Sequence, residues 1–380
     1  MDNLTHSLVG LTAAKAGLER LSPGATAVCV LAANAPDCDV AILLFGDRWT
    51  YLHHHRGITH AIVGVAFLSL FIPLVFYGID QLWARFRGQP ANTKLRGLIV
   101  ASVLVTATHP LLDWTNNYGM RFFLPWSSKW YYGDLVYIID PYQWLLLGGT
   151  CFLLSAKTIG GKVIWAAVAA VLTGLVIFAP RGAGLPFFFV WFWVAAIVIL
   201  IVLFVLGTGR RFGKKIAIVA LAIVPCYWTL LGYVHSRALA SGYYQATKVV
   251  LPSGEPIRRL SVMPTLASPL HWDCVFETDR ATYRFGLRLM SDNFPQTRVI
   301  RYEKPSGPLA AVMENVSHDR PVQIFLGFAR YPVARLADPS CTTDTLLQLA
   351  DLRYTEPGSP RGTFTLEQPV DCPTNEDGSR

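Results

Sequence analysis

Charge is scarce in this chain. Asp, Glu, Lys and Arg make up 15% of its 380 residues, against 52% hydrophobic residues, where a soluble domain carries about 25% charge. An ordinary water-soluble globule along the whole length is excluded. The deficit is local, because most apolar runs lie before residue 236 and the last stretch is of ordinary polarity. The expected division is a membrane domain over 1–235 and a water-facing domain over 236–380. Cysteine pairs are also missing. The seven cysteines, at 29, 38, 151, 226, 274, 341 and 372, form no CxxC pair, so no zinc finger is encoded. There is no GxSxG elbow, no Walker loop and no Rossmann glycine fingerprint. A basic leader is lacking too. Asp2 and His6 stand where a signal peptide would carry Lys or Arg, so no cleaved signal is expected.

What is present is a series of apolar runs separated by basic loops. Runs at roughly 58–83, 94–114, 141–157, 162–179, 186–206 and 214–235 approach or exceed the roughly 20 residues that cross a hydrocarbon core. Two shorter segments, 5–20 and 24–36, precede them and are joined by the turn at Ser22, Pro23 and Gly24. They read as a helical hairpin. The fold class is therefore mainly α: a polytopic membrane helical bundle of about six full spans plus an N-terminal hairpin, followed by a mostly β extramembrane domain.

The net charge of +8 does not point to nucleic acid, because the basic residues cluster in short loops. Arg85, Arg87, Lys94 and Arg96 fill one, Lys157 and Lys162 flank another, and Arg210, Arg211, Lys214 and Lys215 fill a third. All three, with the hairpin turn near Lys15 and Arg20, fall on one side of the membrane. By the positive-inside rule that side is cytoplasmic. The N-terminus, residues 37–57, residues 115–140 and everything after 236 are then expected on the outer face.

The polar residues inside apolar runs converge on that face. His6 opens the first hairpin arm, and Asp37 and Asp39 close the second. His55, Arg56 and His60 precede the span at 58–83, while His109 and Asp113 close the span at 94–114. A bilayer makes such residues costly, so they mark function. The run HPLLD at 109–113 puts an imidazole and a carboxylate one helical turn apart on one face. The metal-ligand set read here is His6, Asp37, Asp39, His55, His60, His109 and Asp113. Imidazoles and carboxylates without thiolates suit Zn²⁺, and also Mn²⁺ or Fe. That many donors exceed the needs of one tetrahedral ion, so one to three ions are expected, with Asp113 the bridge. Arg56 is placed to grip a phosphate in bidentate fashion. Asp140, ahead of Pro141, reads as a helix cap, and Asp2 as an orienter of His6 or a surface charge. Trp114, Trp126, Trp130, Tyr131 and Tyr132 read as an interfacial belt.

Four segments, DNLTHS at 2–7, NAPDCD at 34–39, HRGITH at 55–60 and HPLLD at 109–113, carry a resemblance. In order, they resemble the YdjM-type family of membrane-bound metal-dependent hydrolases over roughly residues 1–145. That family is similar in turn to the zinc-dependent phospholipase C and P1 nuclease group, whose pattern carries over to His6, Asp37, His60, His109 and Asp113. One departure is visible: the His-x-x-x-Glu pair of that group has no counterpart after Asp113, where Asp134 and Asp140 are the nearby acids. The resemblance implies phosphoester hydrolysis by metal-activated water, with Asp37, Arg56 and Asp113 in catalytic roles. It also implies a bacterial inner-membrane location. Membrane lipids and a lipid or lipid-linked phosphoester are the expected partners. Two other classes compete, a metal or ion transporter and a non-catalytic membrane anchor.

The tail holds alternating stretches, 282–289 and 322–328, that read as strands. Cys274, Cys341 and Cys372 there face an oxidising compartment, which allows one disulfide and leaves one free thiol. His271 and Asp273 read as surface residues.

Overall fold

In a computed structural model, residues 1–178, 187–290, 299–340, 344–359 and 364–372 are described. Fourteen helices are named here in chain order: α1 (Asn3–Ala16), α2 (Ala25–Asn34), α3 (Arg48–His54), α4 (Ile62–Arg87), α5 (Leu95–Thr106), α6 (Thr108–Trp114), α7 (Pro141–Gln143), α8 (Gly149–Ser155), α9 (Ile159–Phe178), α10 (Phe187–Val205), α11 (Thr208–Phe212), α12 (Lys214–Val250), α13 (Gly307–Asn315) and α14 (Arg320–Phe328). Seven strands follow α12 as β1 (Arg259–Thr265), β2 (Ser268–Glu277), β3 (Ala281–Arg288), β4 (Ile300–Glu303), β5 (Pro332–Leu336), β6 (Thr345–Asp351) and β7 (Thr365–Val370).

Among the described residues, six helical segments are long and apolar enough to cross a bilayer: Ala25–Leu44, Ile62–Arg87, Leu95–Trp114, Ile159–Phe178, Phe188–Val205 and Lys214–Val250. The number agrees with the sequence reading, but the membership does not. The run at 141–157 is not among them. It starts at Pro141, where Asp140 caps the helix by accepting from the backbone N–H of Tyr142 and Gln143. It passes through a π turn at Trp144–Gly148 and ends at Ser155, whose hydroxyl bonds back to the Cys151 carbonyl at 2.5 Å. Roughly 22 Å of helix results, short of the roughly 30 Å core. In its place, the second hairpin arm runs on past Asn34 as a 3-10 stretch, Ala35–Leu44, and gains the missing length.

The outer helices bury almost nothing within the protein. Val176 is the buried residue of α9, while Ile159, Val163, Ile164, Val171 and Phe178 are exposed. A water-soluble protein does not carry apolar surface on that scale, so lipid is the matching environment. The inner helices pack on one another through small residues. Ala13 and Ala14 of α1 and Ala25, Cys29, Ala32 and Ala33 of α2 meet Leu98, Ala101 and Val105 of α5. Gly10 sets the α1–α2 distance, because a Cβ there would stand 2.6 Å from the Cys29 carbonyl oxygen.

The chain divides into two compact units. The first comprises Met1–Ala41, His55–Tyr233 and Pro264–Pro269. The second comprises Ile42–His54, Val234–Met263 and Leu270–Arg380, and its core is antiparallel. One sheet runs β1-β2-β3-β4 and the other β5-β6-β7. Trp272, Phe276 and Phe285 of the first sheet bury against Ala238 and Ala246 of α12. Met263, Val275, Tyr331 and Val333 pack the two sheets together, and the Tyr331 hydroxyl hydrogen-bonds Ser261 at 2.7 Å. The stretch 322–328, expected as a strand, is instead helix α14. Val322, Phe325 and Phe328 are its buried residues, a three-residue spacing that outweighs the local alternation, and Pro321 sits in its first turn. Cys372 is disulfide-bonded. Cys274 is a free thiol that burial pushes well above its ordinary pKa. Asp273 pairs with Arg284 at 3.0 Å across β2 and β3.

Candidate metal centre

Three elements of the first unit bring four side chains together. Asp37 lies in the 3-10 stretch after α2. His60 lies in the loop ahead of α4. His109 and Asp113 share one face of α6. The loop carrying His60 folds tightly against the first turn of α4, because a Cβ on Gly64 would collide with the Ile58 carbonyl. One ligand atom from each of Asp37, His60, His109 and Asp113 lies within 4.8 Å of the others. His60, His109 and Asp113 are buried, and Asp37 is the most accessible of the four.

The spacings suit a metal ion. His60 Nε2 is 3.2 Å from Asp37 Oδ1 and 3.5 Å from Asp113 Oδ2. His109 Nε2 is 3.6 Å from Asp37 Oδ1 and 3.4 Å from Asp113 Oδ2. Charge-assisted hydrogen bonds between imidazolium and carboxylate would draw in to about 2.7–2.9 Å. Donors at roughly 2.0–2.2 Å from a tetrahedral ion stand about 3.3–3.6 Å apart, the edge length of the tetrahedron. These four of the six edges fall at or beside that range.

Some polar atoms around this point also lack hydrogen-bond partners among the described residues. His109 Nε2, Asp37 Oδ2 and both ring nitrogens of His6 are buried without one. Each such atom costs about 1–3 kcal/mol when left unsatisfied, so His109 Nε2 and Asp37 Oδ2, both from the four-donor group, fit a cation there. The histidine orientations are fixed from behind. The His109 Nδ1–H donates to the Ala33 carbonyl at 2.6 Å, which leaves the Nε2 lone pair able to ligate an ion. His60 Nδ1 lies 3.0 Å from Thr59 Oγ1 and 3.4 Å from Asp39 Oδ2, a carboxylate placed behind a ligating imidazole.

The other expected ligands lie beside this group. His6 stacks on His109, with ring centroids 3.8 Å apart, and its Nε2 is 3.4 Å from Asp113 Oδ1. Asp113 thus turns one oxygen to the four-donor group and the other to His6. That second oxygen also accepts from Arg56 Nη2 at 3.0 Å and from the Met1 amino group. Asp39 and His55 fall outside the four-donor group and pair with each other, His55 Nδ1 lying 3.2 Å from Asp39 Oδ2. Asp39 also accepts from the Arg56 backbone N–H at 3.0 Å. Its partners thus draw it behind His60, whereas Asp37 faces His60 Nε2.

Arg56 is turned toward the protein. Its φ of 50° lies in the left-handed region, and its guanidinium donates to the Asp113 carbonyl, Asn116 Oδ1 and the Gly119 carbonyl as well as to Asp113 Oδ1. It stacks over Tyr118 at 4.5 Å. Asp2 caps α1 by accepting from Thr5, and Trp144 Nε1 holds it at 3.1 Å. Asp134 and Asp140 are not in the clustered group. Sequence reasoning missed Asn116, Gly119 and Arg121, whose guanidinium lies over Trp130 and donates to the His55 carbonyl at 3.2 Å. Their signal was the run TNNYGMR at 115–121, directly after Asp113.

No solved structure matches the chain. The uncharacterized protein YfhP of Bacillus subtilis (strain 168) is 30% identical over 152 residues, 37% of this chain and 42% of that protein. The alignment thus spans less than half of the relative's length. With its apolar helices, the chain is a multi-pass inner-membrane protein. Residues 1–184, just under half of the chain and including every residue of the candidate metal centre, match the family of the YdjM inner membrane protein and are similar to it.

Proposed function

We propose that this protein is a membrane-embedded, metal-dependent hydrolase that cleaves phosphoester bonds in a lipid or lipid-linked substrate at the outer membrane face. The carrying observation is the set of imidazole and carboxylate donors at tetrahedral spacing, gathered at the ends of apolar helices. A wider likeness to the zinc-dependent phospholipase C and P1 nuclease group rests on the residue pattern alone. Zn²⁺ suits this donor set, and when bound it supplies a Lewis acid and a water ionised near neutral pH. His60 and His109 present fixed Nε2 lone pairs. Asp113, locked by Arg56, holds its orientation. Asp37 keeps Oδ2 without a partner, so this oxygen is placed to accept the proton of an attacking water. An ion path would need ligands through the full depth of the bilayer, yet Ile159–Phe178 and Phe188–Val205 contain no Asp, Glu or His, which weighs against transport.

The test is turnover of phospholipids and simple phosphodiesters by detergent-purified protein. Activity will disappear on chelation, return with Zn²⁺ and be absent from Asp37→Asn. Metal-replete protein that turns over none of these substrates above the chelated background would overturn the reading.

The same reading puts the second unit outside the cytoplasm. The basic loops support it, as does the disulfide at Cys372, since such bonds persist in oxidising compartments. Alkaline phosphatase, which needs its own disulfides, will be active when fused after Asp371 and inactive when fused after Lys157. The reverse pattern would refute the orientation.

A further inference from the structure

A second site lies in the first unit among α8, α9 and α10, built from residues the metal centre does not use. It is an apolar cavity of about 200 Å³. Trp144, Gly149, Ala169, Leu172 and Trp193 line it, and Lys162 is its sole charged lining residue. Along α9 it runs from Lys162 to Leu172, about 15 Å of helix axis. Its indole N–H groups are turned elsewhere, Trp193 to Thr173 Oγ1 at 3.0 Å, Trp165 to Ser155 Oγ at 2.8 Å and Trp144 to Asp2 and Thr5. The wall therefore offers hydrocarbon and aromatic faces along its length and a cation at one end.

That end is strongly basic. Lys162 Nζ sits 5.8 Å from the Phe204 ring, which packs on Phe152 at 4.8 Å. Two residues beyond α10 begins α11, which carries Arg210 and Arg211, and Lys214 and Lys215 follow. Helix α11 is pressed against the end of α8, since a Cβ on Gly209 would collide with the Leu153 carbonyl. No Asp or Glu occurs between residues 141 and 254, so these cations have no acidic neighbour on their own helices. A membrane lysine that closes a hydrocarbon-lined slot calls for a ligand with an apolar chain and an anionic head.

We propose that this cavity seats one acyl chain of an anionic diacyl phospholipid from the leaflet at the basic end, with the lipid phosphate on Lys162 and the Arg210–Arg211 pair. The apolar wall supplies chain burial and the basic cluster supplies headgroup selectivity. The site is independent of the metal centre and of any turnover there.

The experiment is native mass spectrometry of the full-length protein in detergent, with added phosphatidylglycerol or phosphatidylcholine of matched chains. Phosphatidylglycerol will be retained at least several-fold more than phosphatidylcholine. Lys162→Gln will erase that preference, and Ala169→Phe, which fills the slot, will abolish retention of both. Lys94→Gln, in a different basic loop, will leave retention unchanged. Inorganic phosphate will not displace the lipid. Equal retention of the two lipids by the wild-type protein, or an undiminished preference in Lys162→Gln, would overturn the assignment. Equal loss in Lys94→Gln would do the same, because it would show a diffuse charge effect.

Discussion

His109→Ala and Asp37→Asn will each strip the metal from detergent-purified protein while the helical bundle stays folded. Two of the four donors at tetrahedral spacing are His109 Nε2 and Asp37 Oδ1. Loss of a partner behind a ligand already costs roughly 10–100-fold in metal affinity, so loss of a ligand itself will cost more. The two substitutions are chosen because little else depends on those atoms. Among the described residues, Asp37 Oδ2 and His109 Nε2 have no hydrogen-bond partner, and His109 gives up its Nδ1 bond to the Ala33 carbonyl and its stacking on His6. Elemental analysis after size-exclusion chromatography, read with the thermal midpoint of the chelated protein, is the check. Full metal content in both variants would mean that the centre lies elsewhere. Intact metal binding with a collapsed midpoint would mean that the cluster is an ordinary buried network.

Much of this centre was legible in the sequence because its residue types conflict with their surroundings. Histidines and aspartates at the ends of apolar runs have few uses in a bilayer other than binding or relay, and the four-residue spacing of His109 and Asp113 fixes a shared helix face. Three things were not legible. Asp37 and Asp39 have equal claims as residue types, and only the backbone path through Ala35–Leu44 separates the one facing the histidine Nε2 atoms from the one behind His60. The length of a helix depends on where its ends are capped. Apolarity alone made 141–157 a span, whereas Asp140 and Ser155 cut it short and the 3-10 continuation to Leu44 lengthened the hairpin arm. The stretch at 322–328 carries both a two-residue and a three-residue apolar spacing, and packing of Val322, Phe325 and Phe328 selects the helix.

Arg56→Met will act on the fold before it acts on any substrate. As a residue type next to a metal centre, Arg56 reads as a phosphate clamp. Its guanidinium instead ties together three segments: its own loop, the Asp113 end of α6, and the loop at Asn116 and Gly119. It is buried, stacked on Tyr118, and in left-handed backbone whose N–H donates to Asp39. Removing one partner of such a buried pair costs about 3–5 kcal/mol, and Asp113 Oδ1 would be left with the Met1 amino group and His6 as its neighbours. The thermal midpoint of the chelated protein will therefore fall by several degrees or more, and metal content will fall with it as Asp113 loses its orientation. Arg56→Lys will recover part of the loss, because an ammonium keeps the charge but not the forked geometry. Neutralising the acid as well, in Arg56→Met with Asp113→Asn, will raise the midpoint above that of Arg56→Met alone without restoring metal, since the carboxylate ligand is then absent. The opposite result is equally readable. A variant that melts within about 0.5 kcal/mol of the parent but shows a raised KM for a phosphodiester would place the guanidinium on the substrate.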